Sequence, residues 1–432
     1  MLLRFQVTNH ASLRDEQELS LIASDRHPGR AERELANGEH SVVPVVAVYG
    51  QNASGKSNVI DAIEWMRGAV LSSFRSWDPT VGVPRRPFAL RQDAGAWPST
   101  FSMDFALDGV HYEFGFTVDD DRVTEEWLYF HPDRKANRLY ERTGDSVVFG
   151  RSLTGRKKAI AELLRPNSLY LSVAAAHGHP RLSEVYRWFQ HGLRLATDRN
   201  FRGRLDHTVR LLLDTRDKND SAVVDLLRFA DLGVSGLEIE EPDESVLDEY
   251  RRITQAMRDV LGDKVRVEMP GPRSVRVNHR TGEGVFPLDL ADESSGTRTW
   301  IGILGPVVSA LAEGTVLCVD ELDARLHPHL VDALVGIFQS PHLNPSGAQL
   351  LFSTHEAALL GKNVRTELYR DQVWFTEKDP ESLATRLFPM TEFHVRDSVE
   401  NLEKRYLAGR YGAVPHLDDD VLRGISLAVG GA

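Results

Sequence analysis

The chain has 432 residues, 41% hydrophobic and 26% charged, which fits a folded protein with a large core in two lobes. Its 51 basic and 63 acidic residues leave a net charge of −12, so no global positive field draws it to nucleic acid. A single cysteine, Cys318, rules out a disulfide framework and a thiolate metal site, and the longest apolar run, from Trp300 to Ala312, carries Gly and Pro and is too short for a bilayer.

The N-terminal segment Met1–Val7 has neither a long apolar core nor a small-residue cleavage site, so a soluble, cytoplasmic protein with no membrane partner is expected. Strands are expected at Leu2–Val7 and Glu18–Ile22, joined by a polar turn around Asn9–Asp15. Val42–Tyr49 is a near-continuous β-branched run, as in a strand buried on both faces. After Gly50–Ser57, Ile60, Ile63, Met66 and Val70 give Asn58–Ser73 a helical period. Residues 78–100, rich in Pro, Arg and Gly, read as a connecting loop, and alternating segments at 101–107, 110–118, 123–130 and 146–149 predict an antiparallel meander.

Residues 155–164 and 181–262 are mostly helical in pattern and heavily charged, with 205–232 and 246–261 as candidates for a protruding arm. Short strands are expected again at Val265–Glu268 and Val275–Asn278. Helices at Thr297–Leu311 and His329–Gln339 then alternate with buried strands at Thr315–Asp320, Gln349–Ser353 and Gln372–Glu377. That alternation predicts an α/β fold with a mostly parallel, helix-flanked sheet. No internal repeat is present.

Gly50-Gln51-Asn52-Ala53-Ser54-Gly55-Lys56-Ser57, with Asn58 following, matches the phosphate-binding loop pattern in full between a strand and a helix. In such a loop glycines let backbone N–H groups wrap phosphates, Lys56 would reach the β/γ-phosphates and Ser57 would bind Mg²⁺. The strand Thr315–Val319 ends in Asp320 and Glu321: Asp320 suits the magnesium shell, and Glu321 suits positioning or deprotonating a water. Ser353-Thr354-His355 closes another strand, where a histidine can sense the γ-phosphate or simply occupy a loop. Glu293-Ser294-Ser295-Gly296-Thr297 opens a helix, either as a phosphate-binding nest or as ordinary capping.

The order P-loop, long insertion, Ser-Ser-Gly, Asp-Glu, His resembles an ABC-type ATPase of the SMC/RecF/OLD-like branch. The resemblance implies a head of mixed, mostly parallel sheet with an antiparallel β lobe and a helical arm insertion. It places residues 1–180 in the first half of the head, 181–262 in the arm and 263–432 in the second half. It further implies that Ser294, Ser295 and Gly296 act in trans on ATP held by a second copy, with Asp323 at the dimer contact. Closer resemblance, to RloA/AbiLii-type ATPases of phage-defence loci, rests on Asn9-His-Ala-Ser-Leu, Asn167–Ala175, Glu293–Thr297, Asp323–Pro328 and Leu402–Pro415.

Glu293–Thr297 departs from the Leu-Ser-Gly-Gly-Gln of transporter subunits, which argues against transport. Where relatives place a magnesium-proximal glutamine, Ala176-His177 stands, leaving His177 or Gln92 as candidates. The resemblance implies an ATP- and Mg²⁺-dependent switch, working as an ATP-sandwich homodimer or within a higher oligomer, that regulates a separately encoded effector such as a nuclease. A DNA-repair ATPase and an ATP-dependent scaffold are the alternatives. Arg199, Arg202, Arg204, Arg210 and Arg216 offer nucleic acid a contact, but interleaved acids favour a solvated face, and Asp418–Asp420 reads as a solvated turn.

Overall fold

The computed structural model describes residues 1–24, 27, 30–35, 40–133, 135–214, 222–230, 233–240, 242–261, 274–362, 364–394 and 401–415, with the backbone alone at 257–261. The expected strand Val265–Glu268, the turn Asp418–Asp420 and Arg216 lie outside these residues.

Strands β1 (Leu2–Thr8) and β2 (Gln17–Ser20) open the chain, and a short pair, β3 (Arg33–Glu34) and β4 (Ser41–Val42), precedes β5 (Val45–Gly50) and helix α1 (Lys56–Ser72). The meander is β6 (Ser99–Leu107), β7 (Val110–Val118), β8 (Val123–His131), β9 (Asn137–Thr143) and β10 (Ser146–Phe149). Its fourth strand, β9, is hidden in the sequence because buried Leu139 and Tyr140 are adjacent, and the register against β8 shifts at Leu128/Tyr129. Helices α2 (Lys157–Ala161), α3 (Tyr170–Ala176) and α4 (Pro180–Arg187) lead through a π-turn to β11 (Leu193–Ala196). Then come α5 (Phe201–Asp214), α6 (Ala222–Phe229), β12 (Val234–Glu240), α7 (Glu244–Leu261), β13 (Ser274–Thr281) and β14 (Gly284–Asp289). The last third is α8 (Ser295–Glu313), β15 (Val316–Val319), α9 (Pro328–Gln339), β16 (Gln349–Ser353), β17 (Val373–Lys378), β18 (Thr385–Pro389) and α10 (Leu402–Leu407).

Two large sheets make the head. One is antiparallel, in the order β10-β9-β8-β7-β6-β1-β2; the other runs β11-β15-β16-β5-β17-β18 and is parallel except for β18. Helix α1 lies between them. Its Val59, Ile60, Ile63 and Met66 share a core with Val46 and Val48 of β5 and with Phe101 and Phe116 of the meander. The alternate residues Val45, Ala47 and Tyr49 face a second core built with α8 and α9. The period-two alternation of β5 thus feeds two cores, which is why its sequence is apolar throughout.

The 181–262 segment is not a single helical arm. Leu182, Val185 and Phe189 of α4 and the π-turn are buried in the first core, and β11 is an edge strand of the parallel sheet. Helix α5 packs along α8. Helix α6 packs on α8, and Val223, Leu227, Val234 and Val277 join the second core, while β12-β13-β14 form a separate three-stranded antiparallel sheet. High charge gave this stretch its helical look, whereas Val234–Glu240 has the alternation of a half-buried strand. Among the described residues no helix is long and apolar enough to cross a membrane.

Candidate functional site

The parallel strands β5, β15 and β16 end side by side, and the loops after them converge, as expected at the carboxyl edge of a parallel sheet. Gln51, Asn52 and Ala53 form the tip of the loop after β5, with Asn52 and Ala53 exposed, while Ser54, Gly55 and Lys56 are buried beneath it. Ala53 (φ 62°) and Gly55 (φ 109°) both adopt left-handed backbone. A Cβ on Gly55 would lie 2.2 Å from Thr385 Oγ1, and one on Gly50 would lie 2.3 Å from Thr376 Oγ1, so neither position has room for a side chain.

Hydroxyl contacts from distant strands fix the loop. Ser54 Oγ meets Thr376 Oγ1 of β17 at 2.6 Å, and Thr376 Oγ1 donates to Tyr49 O. Thr385 Oγ1 of β18 donates to Ser54 O at 2.7 Å and meets Ser12 Oγ, which also accepts from Asn58 Nδ2. Ser12 entered the sequence reading only as part of Asn9-His-Ala-Ser-Leu, and Thr376 and Thr385 had no site role there, because each lies far along the chain from the loop. Tyr406 of α10 meets the ring of Tyr49, the residue before Gly50, edge-on at 5.6 Å and stacks on Phe375, as does Tyr411. The Leu402–Pro415 stretch therefore braces the base of the loop.

Lys56, 5% exposed, donates to Gly50 O at 2.9 Å and Gln51 O at 3.2 Å. Burial pushes its ammonium down to about 8, against the pull of Glu321, Asp323 and Asp320. Those three carboxylates stand on the loop after β15. Asp320 Oδ1 accepts from Ser353 Oγ at 2.6 Å, and that same hydroxyl accepts from the Glu321 N–H at 2.7 Å, tying β15 to β16. Glu321 is exposed and left-handed at φ 52°. The His355 N–H donates to Asp323 Oδ2 at 3.1 Å. Partial burial and then the charge of Lys56 push the His355 imidazole below its usual pKa, while Asp323, Glu321 and Asp320 pull it upward. Lys56, Asp320, Glu321, Asp323 and His355 thus form one electrostatic cluster, with Ser57 and Asn58 half-buried beside it.

The other expected residues stand elsewhere. Ser294 caps α8, accepting from Thr297 N at 3.1 Å, and Ser294 and Ser295 are exposed. Gly296 packs against Arg325, whose carbonyl would lie 2.8 Å from a Cβ there. His177 lies beside Phe74 at the C-terminal end of α1, with ring centroids 5.5 Å apart. Since α1 is 17 residues and so about 25 Å long, His177 stands at the opposite end from Lys56 and is no substitute for a magnesium-proximal glutamine. Its segment 167–175 instead buttresses the end of α1: Leu169 N donates to Ser73 Oγ, and Phe74 N to Ser172 Oγ. Gln92 is exposed in the 78–100 connection.

No curated protein matches this chain. Among solved structures, the Smc head bound to the C-winged helix domain of ScpA aligns with a TM-score of 0.39 at 10% identity, over 90% of this chain and 97% of that one. The Smc head domain with an extended coiled coil, bound to the C-terminal domain of ScpA derived from Pyrococcus furiosus, aligns with a TM-score of 0.36 at 11% identity, over 95% and 98%. The family model described as "AAA domain, putative AbiEii toxin, Type IV TA system" matches residues 45–361, which run from the strand before the glycine loop to just beyond His355. With well over half of its length matched, and the phosphate-loop cluster inside the match, the chain belongs to this AAA-domain family.

Proposed function

We propose that the chain is an ATP-hydrolysing switch of the ABC/SMC kind, completed by a second copy, that regulates a separately encoded effector in bacterial phage defence. The observation that carries the enzymatic part is a buried lysine under a glycine cradle, facing three carboxylates and a histidine. Among the described residues Lys56 has only carbonyl oxygens as hydrogen-bond acceptors, so an anionic group is the natural partner of its charge.

The residues fit ATP with Mg²⁺. Gly50–Ser57 would hold the phosphates on backbone N–H groups at the N-terminus of α1, and Ser57 with Asp320 would hold the metal. When bound, Mg²⁺ neutralises phosphate charge. Glu321 takes or holds the proton of the attacking water, and His355 reports the γ-phosphate. Exposed Ser295 and half-buried Gly296 serve the nucleotide of a second copy, with Asp323 near that contact.

The cytoplasm is the compartment this reading requires. The family's description, with its reference to a toxin system, and the resemblance of Leu402–Pro415 support the defence role. Glu321→Gln should keep ATP binding and lose turnover about 10²–10⁴-fold, while Lys56→Ala should lose binding. An affinity pull-down of Glu321→Gln from its host, with and without Mg-ATP, tests the regulatory role. A protein partner retained only with ATP supports it; DNA alone would favour a repair ATPase instead.

A further inference from the structure

Arg204, in the first turn of α5, is 7% exposed, and its Nε is buried with no hydrogen-bond partner. Among the described residues its only ion-pair neighbour is Asp198, 3.9 Å from Nη2 and itself 78% exposed. The guanidinium also lies over the Phe201 ring at 5.6 Å. A buried cation this poorly paired weakens the fold, and an apolar side chain of similar volume serves stability as well or better. Its presence calls for a role other than holding the fold together.

The surroundings indicate that role. Arg204 lines a narrow cleft shared with Asp198, Thr299 of α8, Asp320, Glu321 and Arg325. Asp320 is engaged by Ser353. Among the described residues the Glu321 carboxylate accepts no hydrogen bond. The loop that carries it holds two non-glycine residues in left-handed backbone, Glu321 at φ 52° and Arg325 at φ 66°, the kind of strain that persists at switch segments.

Arg204 is also tied to the helix that bears Ser294–Gly296. Thr208 Oγ1 donates to Ile301 O and accepts from Gly305 N, both at 2.9 Å, pinning α5 to α8. Gly302 and Gly305 allow this approach, since Cβ atoms there would lie 2.9 Å from the Phe201 ring and 2.6 Å from Thr208 N. Displacement of the α8 N-terminus is therefore felt at Arg204.

Resting on the ATP-switch reading above, we propose that Arg204 is a positioning residue for Glu321. When a second copy engages Ser295-Gly296, α8 and α5 move together and the guanidinium closes on the Glu321 carboxylate, orienting it for turnover. Hydrolysis is thereby linked to dimer engagement through one buried cation.

Arg204→Met and Arg204→Lys test this against Glu321→Gln. Arg204→Met should unfold, without nucleotide, at or above the wild-type temperature and keep the wild-type KM for Mg-ATP. Its kcat should fall roughly 10–100-fold, with partial recovery in Arg204→Lys. Added to Glu321→Gln, Arg204→Met should lower the residual rate no further, because both act through one carboxylate. Wild-type kcat in Arg204→Met, or a loss that tracks lowered stability and raised KM, overturns the inference. Should Arg204→Met fail to fold, Arg204→Gln is read in the same way. Normal turnover by Glu321→Gln removes the switch reading itself, whereas its loss beside full activity in Arg204→Met removes the inference alone.

Discussion

Asp61 lies four residues beyond Ser57 on α1 and gathers three cationic or donor groups from separate parts of the chain. His10 Nε2, Arg86 Nη1 and Arg199 Nη1 stand 2.8, 2.6 and 3.1 Å from its oxygens. Burial works to raise its pKa, but the His10 hydrogen bond and the charges of Arg86, His10 and Arg199 outweigh it, and the carboxyl titrates below its usual range. A carboxylate with a depressed folded-state pKa stabilises the fold above its unfolded pKa, and that contribution disappears as pH falls through the folded value. Asp61→Asn should therefore cost roughly 1.5–3 kcal/mol near neutral pH, in the range of hydrogen bonds to charged groups. The deficit should shrink as the solution is taken below about pH 4. Urea unfolding of both proteins at the two pH values checks this; a deficit independent of pH would mean that Asn loses packing rather than charge.

At the scale of elements, α3 owes its place to one buried acid on β8. Glu126 is 1% exposed; its carboxylate accepts from Tyr170 N at 2.6 Å, Leu171 N at 3.0 Å and Tyr140 OH at 2.7 Å. Arg142 stands 3.8 Å away and spends its hydrogens on the carbonyls of Gly144, Ser168 and Pro166. Glu126→Ala leaves a buried guanidinium without its counter-charge and the start of α3 uncapped, a loss of about 3–5 kcal/mol in chemical unfolding. Because α3 packs at the far end of α1 from Lys56, the KM of the remaining folded protein for Mg-ATP should not change. This is also where legibility in sequence ends. Gly50–Ser57, Asp320-Glu321 and the buried strands declared themselves because each is a contiguous pattern set by one strand or one turn. The roles of Asn167–Ala175, Ser12, Thr376, Thr385 and Arg204 depend on contacts between residues tens to hundreds of positions apart, and no period or local spacing encodes those. The 181–262 segment misled for a related reason: surface charge hid a four-residue strand, β11, whose burial comes from its neighbour β15.

For the whole molecule, the proposed switch makes a demand that a lone subunit cannot meet. Lys56 belongs to the buried cradle, whereas Ser295 stands exposed at the start of α8, packed beside the loop that carries Glu321 and Arg325. If the nucleotide is completed in trans, each site draws its phosphate loop from one copy and its Ser-Ser-Gly segment from the other, the symmetric arrangement of a two-fold dimer. Lys56→Ala and Ser295→Arg should then both be inactive alone. Mixed in equal amounts, they form heterodimers in which one site has lost both elements and the other retains both. With random pairing roughly half of the dimers are mixed and one of their two sites works, so the mixture should recover roughly a quarter of the wild-type rate. Steady-state phosphate release, measured on each variant and on the mixture after subunit exchange, distinguishes the geometries. Recovery requires that the two segments meet across an interface. A mixture as inactive as its components would place both defects in the same site of a single chain, and the Ser294–Gly296 segment would then be a helix cap and nothing more.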